Sequence, residues 1–309
     1  MWIFLHDVYM VGLINNSQEF IKGMKKLSNS ELELQSATLR LKLLKYIKMA
    51  NAGHTGGDLS CMDILNVLYH DVLNIPGNNL KDPERDRYIQ SKGHSVEALY
   101  VVLASRGFFP EKDLESLGRY RSHYVGHPTR KVNGIEFNTG ALGHGLSISA
   151  GIALAGKMDS RNYRVFTLLG DGELAEGSNW EAAMFASHYK LDNLVAILDH
   201  NTLQITGRNC DVCNPGPIDE KFRSFGWHVV TTDGHNIAEL RKIFQQVPFR
   251  RDKPALIIAN TIKGKGVSFM ENITKWHHGV PDDEQYEKAV RELDKEIEKI
   301  KYSSTYAGD

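Results

Sequence analysis

Two residues stand out as suited to chemistry in this 309-residue chain: Asp171, inside Gly170-Asp171-Gly172, and Asn201, which follows Leu198-Asp199-His200 thirty positions later. Each comes just after a short apolar run, 165–169 and 194–198, that reads as a β-strand. The glycines beside Asp171 permit a tight turn and let backbone N–H groups approach an anion. An Asp and an Asn at the tips of neighbouring parallel strands would offer two hard oxygen ligands to one crevice. Mg²⁺ suits such a site, because it takes a few protein oxygens and completes its octahedron with phosphate oxygens and water. The plainer alternative is two unrelated turns, with Asn201 tolerating a left-handed backbone.

Positioning those tips requires a parallel sheet. Strands are expected at 87–90, 165–169, 194–198, 227–230 and 255–259. Helices are expected at 32–52, 61–73, 96–106, 180–189, 237–246 and 284–301. The first has Leu39, Leu43, Leu44, Ile47 and Ala50 at helical spacing and stops at Asn51-Ala52-Gly53. Strands alternating with helices give an α/β fold: a parallel β-sheet with helices on both faces. Ligands in such sheets sit beyond the carboxyl ends of the strands, here near residues 170, 201, 235 and 264. Segment 108–138 is rich in Gly, His and Pro and reads as a long functional loop. No repeat or linker divides the chain, so one domain is expected over 31–309, with 1–30 as an N-terminal extension.

Composition excludes several classes. Basic and acidic residues number 37 and 38, for a net charge of −1, so nothing marks a nucleic-acid partner. Any bound anion must be held by local geometry. Three cysteines cannot build a disulfide framework, and Cys210-Asp211-Val212-Cys213 lacks a second ligand pair for zinc. A loop with two thiols in a reducing compartment is the simpler reading. The first fourteen residues are apolar but contain Asp7, lack a basic start and are too short to span a bilayer. No membrane association and a cytoplasmic location are expected.

The run from Gly170-Asp-Gly-Glu-Leu-Ala-Glu-Gly177 to Asn201-Thr-Leu-Gln-Ile-Thr-Gly207 resembles the thiamine-diphosphate signature. Around it, in family order, stand Asn51-Ala-Gly-His-Thr-Gly-Gly57, Asp86-Arg-Tyr-Ile-Gln-Ser-Lys-Gly-His94, Gly126-His-Pro128, Thr139-Gly-Ala-Leu-Gly-His-Gly145 and Trp276-His-His-Gly279. Together they resemble the N-terminal, diphosphate-binding domain of transketolase over about residues 30–280.

The resemblance implies roles position by position. Asp171, Asn201 and the Leu203 carbonyl would ligate Mg²⁺ or another divalent cation such as Ca²⁺ or Mn²⁺. Gly172, Asn201 and His94 would meet the diphosphate of thiamine diphosphate. Gly140, Ala141 and Leu142 would flank its rings, with Ile205 and Ile262 packing beside them. Glu176 would join a carboxylate network reaching the other domain. His54 and His278 would move protons and hold substrate hydroxyls, and His127 would bind the hydroxyl end of a ketose donor; imidazoles suit both tasks near neutral pH. His278 rather than His277 is chosen because it directly precedes Gly279. Ala141 departs from the proline common in the family and loses that residue's fixed backbone angle. His144 reads as structural, His235 as an ordinary loop residue, and Lys263 and Lys265 as solvated loop lysines.

The family's activating glutamate and its sugar-phosphate grip lie in a second, pyrimidine-binding domain, and nothing here resembles it. The expectation is therefore the N-terminal subunit of a split transketolase, moving a two-carbon ketol unit between sugar phosphates. Its active site would be completed by a transketolase C-terminal subunit, with self-association into a heterotetramer. Rival readings are a split enzyme for an unusual sugar, a deoxyxylulose-phosphate-synthase-like or 2-oxoacid dehydrogenase-like thiamine enzyme, and a non-catalytic binding protein. The pattern at Gly143-His-Gly145 disfavours a nicotinamide-dinucleotide site, because Ile148 stands where the third glycine belongs.

Overall fold

A computed structural model describes residues 26–306, with side chains as far as 303. Most of the expected 1–30 extension, including its apolar first fourteen residues, lies outside the described residues.

Five parallel strands form the sheet: β1 (Arg87–Gln90), β2 (Val165–Gly170), β3 (Leu194–His200), β6 (His228–Asp233) and β7 (Ala255–Asn260), in the order β1-β2-β3-β7-β6. A small antiparallel hairpin, β4 (Leu203–Gln204) with β5 (Gly207–Arg208), follows β3. The α-helices longer than one turn are α1 (Asn29–Ala50), α2 (Thr55–Val67), α3 (Val96–Ser105), α4 (His144–Met158), α5 (Gly177–His188), α6 (Ile218–Ser224), α7 (Ile237–Phe244) and α8 (Asp283–Tyr306).

The strands are apolar at nearly every position because both sheet faces are covered. In β3, Val195 and Ile197 pack into one core with α1, α2, α3 and α7. Leu194, Ala196 and Leu198 face the other, with α4, α5 and Trp227. Alternation along a strand thus feeds two cores, and each large apolar side chain so buried contributes roughly 1.5–3 kcal/mol.

The expected α/β fold and all five strands are present. Helix α1 starts earlier than periodicity suggested, because Ser28 and Glu31 form a capping box, and it ends with Asn51 in a left-handed cap (φ 52°). Helix α2 starts at Thr55 rather than 61. Its first turn includes Gly56 and Gly57, which local propensity argues against but tertiary packing demands. Helices α4 and α6 were not anticipated; α4 carries Gly145, Gly151 and Gly156, which hide its pattern.

The register places the carboxyl ends of four strands together: Gly170 beside Asp199, and His200 and Asp233 each beside Asn260. The loops after these residues all open on one edge.

Candidate active site

At that edge Asp171 is buried and its carboxylate is spent on backbone donors. Oδ1 accepts from Gly172 N–H at 2.8 Å and Oδ2 from Thr202 N–H at 2.5 Å. The loop after β2 is thereby tied to the loop after β3. Burial, then the nearby Asp199, pushes the Asp171 carboxyl above its ordinary range. A divalent cation would relieve both effects. Asn201 is also buried. Its Nδ2 donates to Asp199 Oδ2 at 3.3 Å, which leaves Oδ1 as the acceptor and turns it away from Asp199; Oδ1 now takes Leu203 N–H at 3.2 Å.

A buried ion pair underlies this floor. Lys92 and Asp199 are 2% and 0% exposed and in direct contact. Asp199 also accepts from Ser60 at 2.6 Å and from Thr261, while Lys92 donates to Gly57 O at 3.1 Å. Burial pulls the Asp199 carboxyl upward, but the Lys92 ammonium and these donors outweigh it and hold it low. Segments from β1, α2, β3 and β7 meet on this one pair.

Glu173, two residues past Asp171, ties three more segments together. Its carboxylate takes Ser91 Oγ at 2.5 Å, Gly143 N–H at 2.8 Å and Gly170 N–H at 3.0 Å. Burial raises its carboxyl, and those donors offset part of the cost. Sequence reading passed over Glu173; its only signal is an acid beside an expected metal ligand.

Above the floor lies a cluster of five imidazoles. The His54 ring centroid is 4.7 Å from His278, 5.3 Å from His94, 5.7 Å from His277 and 6.2 Å from His127. His94 stacks on His277 at 5.1 Å. His127 and His278 are exposed, while His54, His94 and His277 are half-buried. Burial first, then the neighbouring imidazoles and lysines, brings His54 down to about 4 and His277 to about 3, and holds His94 well below its ordinary value. Neutral rings can accept protons. The buried Nδ1 of His54 has no hydrogen-bond partner among the described residues.

Gly140 runs beside this cluster at φ +143°. A Cβ there would stand 2.6 Å from His127 Cδ2, so only glycine lets the two loops approach. Behind the cluster, Asp58 and Glu97 form a buried acid pair. Burial takes Asp58 up to about 7 and Glu97 well above its range, so the pair keeps a proton.

The lysine expectation needs correction. Lys263 is 2% exposed, not solvated. Its Nζ donates to the Leu203 carbonyl at 3.2 Å and lies 2.9 Å from His277 Nδ1. Burial, then Lys92, brings it down to about 8. Its loop turns back at Gly264 (φ +83°), where a Cβ would strike Met270 O at 2.4 Å. Spacing could not reveal this burial, because two lysines flanking a glycine look alike in any loop. His235, expected to be an ordinary loop residue, also has a defined place. Its ring lies between Asp63 Oδ2 and the Ile262 N–H, 2.8 Å from each.

Other expected positions fall around the same edge. Gly172, Leu142 and Ile262 are half-buried, Ala141 and His144 exposed, and His144 opens α4. Glu176 is exposed, and Ile205 is 68% exposed among the described residues. Cys210 and Cys213 are exposed free thiols. Among the described residues, no three His, Cys, Asp or Glu side chains form a closed metal cage. A cation at this edge would rest on Asp171, Asn201 and a carbonyl, with ligand oxygens completing its shell. Asn209 Oδ1 and Gln204 Nε2, buried near Gly172 without partners among the described residues, leave further polar capacity for a bound group. The donor set fits a metal–diphosphate unit.

Residues 33–297 match the family described as transketolase, thiamine diphosphate binding domain. The chain is 49% identical over 269 residues to an apulose-4-phosphate transketolase subunit of Phocaeicola vulgatus, covering 87% of this chain and 96% of that protein. It is 41% identical over 267 residues to a 6-deoxy-6-sulfo-D-fructose transketolase subunit of a Clostridium species, covering 86% and 97%. Among solved structures, the transketolase of Campylobacter jejuni superposes with a TM-score of 0.78 at 32% identity, over 85% of this chain but 42% of that one. The chain therefore belongs to the transketolase N-terminal family of thiamine diphosphate binding domains.

Proposed function

We propose that this chain is the N-terminal, diphosphate-holding subunit of a split transketolase, covering 31–309 as one domain and transferring a two-carbon ketol unit between sugar phosphates. The observation that carries the reading is that Asp171 holds the Thr202 N–H and Asn201 the Leu203 N–H in one loop beside a cluster of five imidazoles, in a chain that matches separate transketolase subunits over nearly their whole length.

Asp171, Asn201 and Leu203 would hold Mg²⁺ or a similar divalent cation. Gly172, His94 and Lys263 would meet the diphosphate, and Gly140, Ala141, Leu142, Ile205 and Ile262 would bound the rings. Thiamine diphosphate supplies the carbanion chemistry when bound. This chain's residues position the groups and handle protons. His54, held neutral, accepts a proton from a substrate hydroxyl, and its neighbour His278 passes it toward solvent. His127, exposed at the mouth, holds the hydroxyl end of the donor.

Glu176 and Ile205, exposed at the same rim, are where a C-terminal partner with the pyrimidine-binding domain would close the site, in a heterotetramer by analogy with the family. A reducing, cytoplasmic setting belongs to the same reading, supported by a sequence whose three cysteines cannot build a disulfide framework. Relatives named for apulose-4-phosphate and 6-deoxy-6-sulfo-D-fructose favour a second form of the reading, in which the donor is an unusual sugar rather than one of the pentose phosphates.

The test is to purify the chain alone and with its candidate partner, then assay ketol transfer from a panel of ketose phosphates with thiamine diphosphate and Mg²⁺. Activity is expected only in the mixture. Ketol transfer by the isolated chain would overturn the split arrangement, and product identity across the panel separates the two donor classes.

A further inference from the structure

We propose that His235 is a positioning residue for the cofactor-facing loop after β7, acting as a fixed acceptor for the Ile262 N–H. The inference rests on the reading that this loop meets thiamine diphosphate.

The acceptor is built from behind. Asp63 on α2 is buried and takes two N–H groups of Arg40 on α1, at 3.0 and 2.6 Å. Burial pulls the Asp63 carboxyl upward, but Arg40 and His235 outweigh it and hold it below the ordinary range, so it can only accept. His235 Nδ1 lies 2.8 Å from Asp63 Oδ2 and must therefore carry the hydrogen. Nε2 is then a bare lone pair, and Ile262 N–H points at it from 2.8 Å. A backbone N–H can only donate, so both contacts require the same tautomer.

The imidazole is itself anchored to the sheet. His235 N–H donates to Asp233 Oδ1 at 2.8 Å, and Gly234 N–H to Asn260 O at 2.8 Å. Around Ile262 the loop is pinned by other groups: Thr261 Oγ1 to Asp199, Gly264 N–H to Gly56 O at 2.9 Å, and Asn272 N–H to Lys263 O at 2.8 Å. Those ties hold the residues on either side. His235 fixes Ile262 itself, and through it the direction in which Lys263 extends toward Leu203 O and His277. A change at His235 should therefore be felt by the cofactor through Lys263, with no contact of its own.

The experiment compares wild type with His235→Ala, His235→Asn and His235→Gln, each checked for folding by circular dichroism. Amide hydrogen exchange on the cofactor-free chain should show Ile262 protected in wild type and exposed in His235→Ala. Titration with thiamine diphosphate and Mg²⁺, with the partner chain present, should show about tenfold weaker binding for Ala and Asn, as expected for one lost backbone hydrogen bond. Gln, whose terminal oxygen reaches the Nε2 position, should recover part of it. In a Lys263→Ala background the His235→Ala change should add nothing, a coupling that a merely structural role would not produce. Unchanged exchange at Ile262, or additive losses in the double variant, would overturn the proposal. If wild type fails to take the cofactor, the functional reading fails, and exchange at Ile262 still decides whether His235 holds the loop.

Discussion

Replacing Lys92 with Met tests whether the site rests on its buried ion pair. Lys92 and Asp199 are 2% and 0% exposed, and the remaining partners of Asp199 are neutral: Ser60, Thr261 and Asn201. Removing the ammonium strands a carboxylate in the interior, at a cost of about 3–5 kcal/mol. At roughly 2–4 °C per kcal/mol for a chain of this size, melting should fall by about 6–20 °C. Calorimetry on the cofactor-free chain measures it. Adding Asp199→Asn removes the stranded charge and should restore more than half of the loss. The pH dependence should reverse as well. In wild type the Asp199 carboxyl is held low, so its contribution is complete at neutral pH and is lost as pH falls below the ordinary carboxylate range. In Lys92→Met only the burial effect remains; the carboxyl rises, and stability should improve as pH falls. A melting change under about 2 °C, or a double variant no better than the single, would refute the reasoning.

Three further outcomes are expected. His54 is brought down to about 4, so its folded form resists a proton that the unfolded chain accepts near 6.5; stability is full above that value and declines as pH falls toward 4. His54→Asn should lose less stability than wild type between pH 6.5 and 4 in urea titrations, and parallel curves would contradict this. Glu97, raised by burial and by Asp58, behaves oppositely and costs stability as pH climbs above the ordinary carboxyl range. Glu97→Gln mimics the protonated acid, so it should melt no lower than wild type at pH 8 and gain relative to wild type between pH 5 and 8; a loss at pH 8 would mean the pair is not sharing a proton. Gly140→Ala forces a side chain into a left-handed position 2.6 Å from the His127 ring and should cost about 1–3 kcal/mol. Its main effect should be on KM for the donor, and an unchanged KM would show that His127 does not hold the substrate.

Much of the framework could be read before any coordinates. Short runs rich in apolar residues located all five strands, and all but β1, which leads into Ser91-Lys92, enter a polar loop containing Gly, Asp or Asn. Spacing alone put Asp171 and Asn201 at strand tips. Residues with several possible roles were harder to place. Helix α4 escaped notice because its glycines and serines are chosen for close packing, as where Gly145 sits against Ser91, and not for helix propensity. Ile205 was expected to pack beside a cofactor ring, and its exposure in this chain leaves that contact to whatever covers the rim.

Sequence by itself determined what is written in local pattern: strand and helix periodicity, the turn glycines, and oxygen ligands at fixed distances from strand ends. Tertiary structure decided which polar groups are shut away from water. Lys263 and Lys265 look equivalent along the chain, yet only Lys263 is buried, because the Gly264 turn drives it beneath the 276–279 loop. Asp63, Asp199, Glu173 and His235 find their partners on segments up to 172 residues away. The worth of a buried charge depends on those partners, and a charge's partners are set by the fold rather than by its neighbours in sequence.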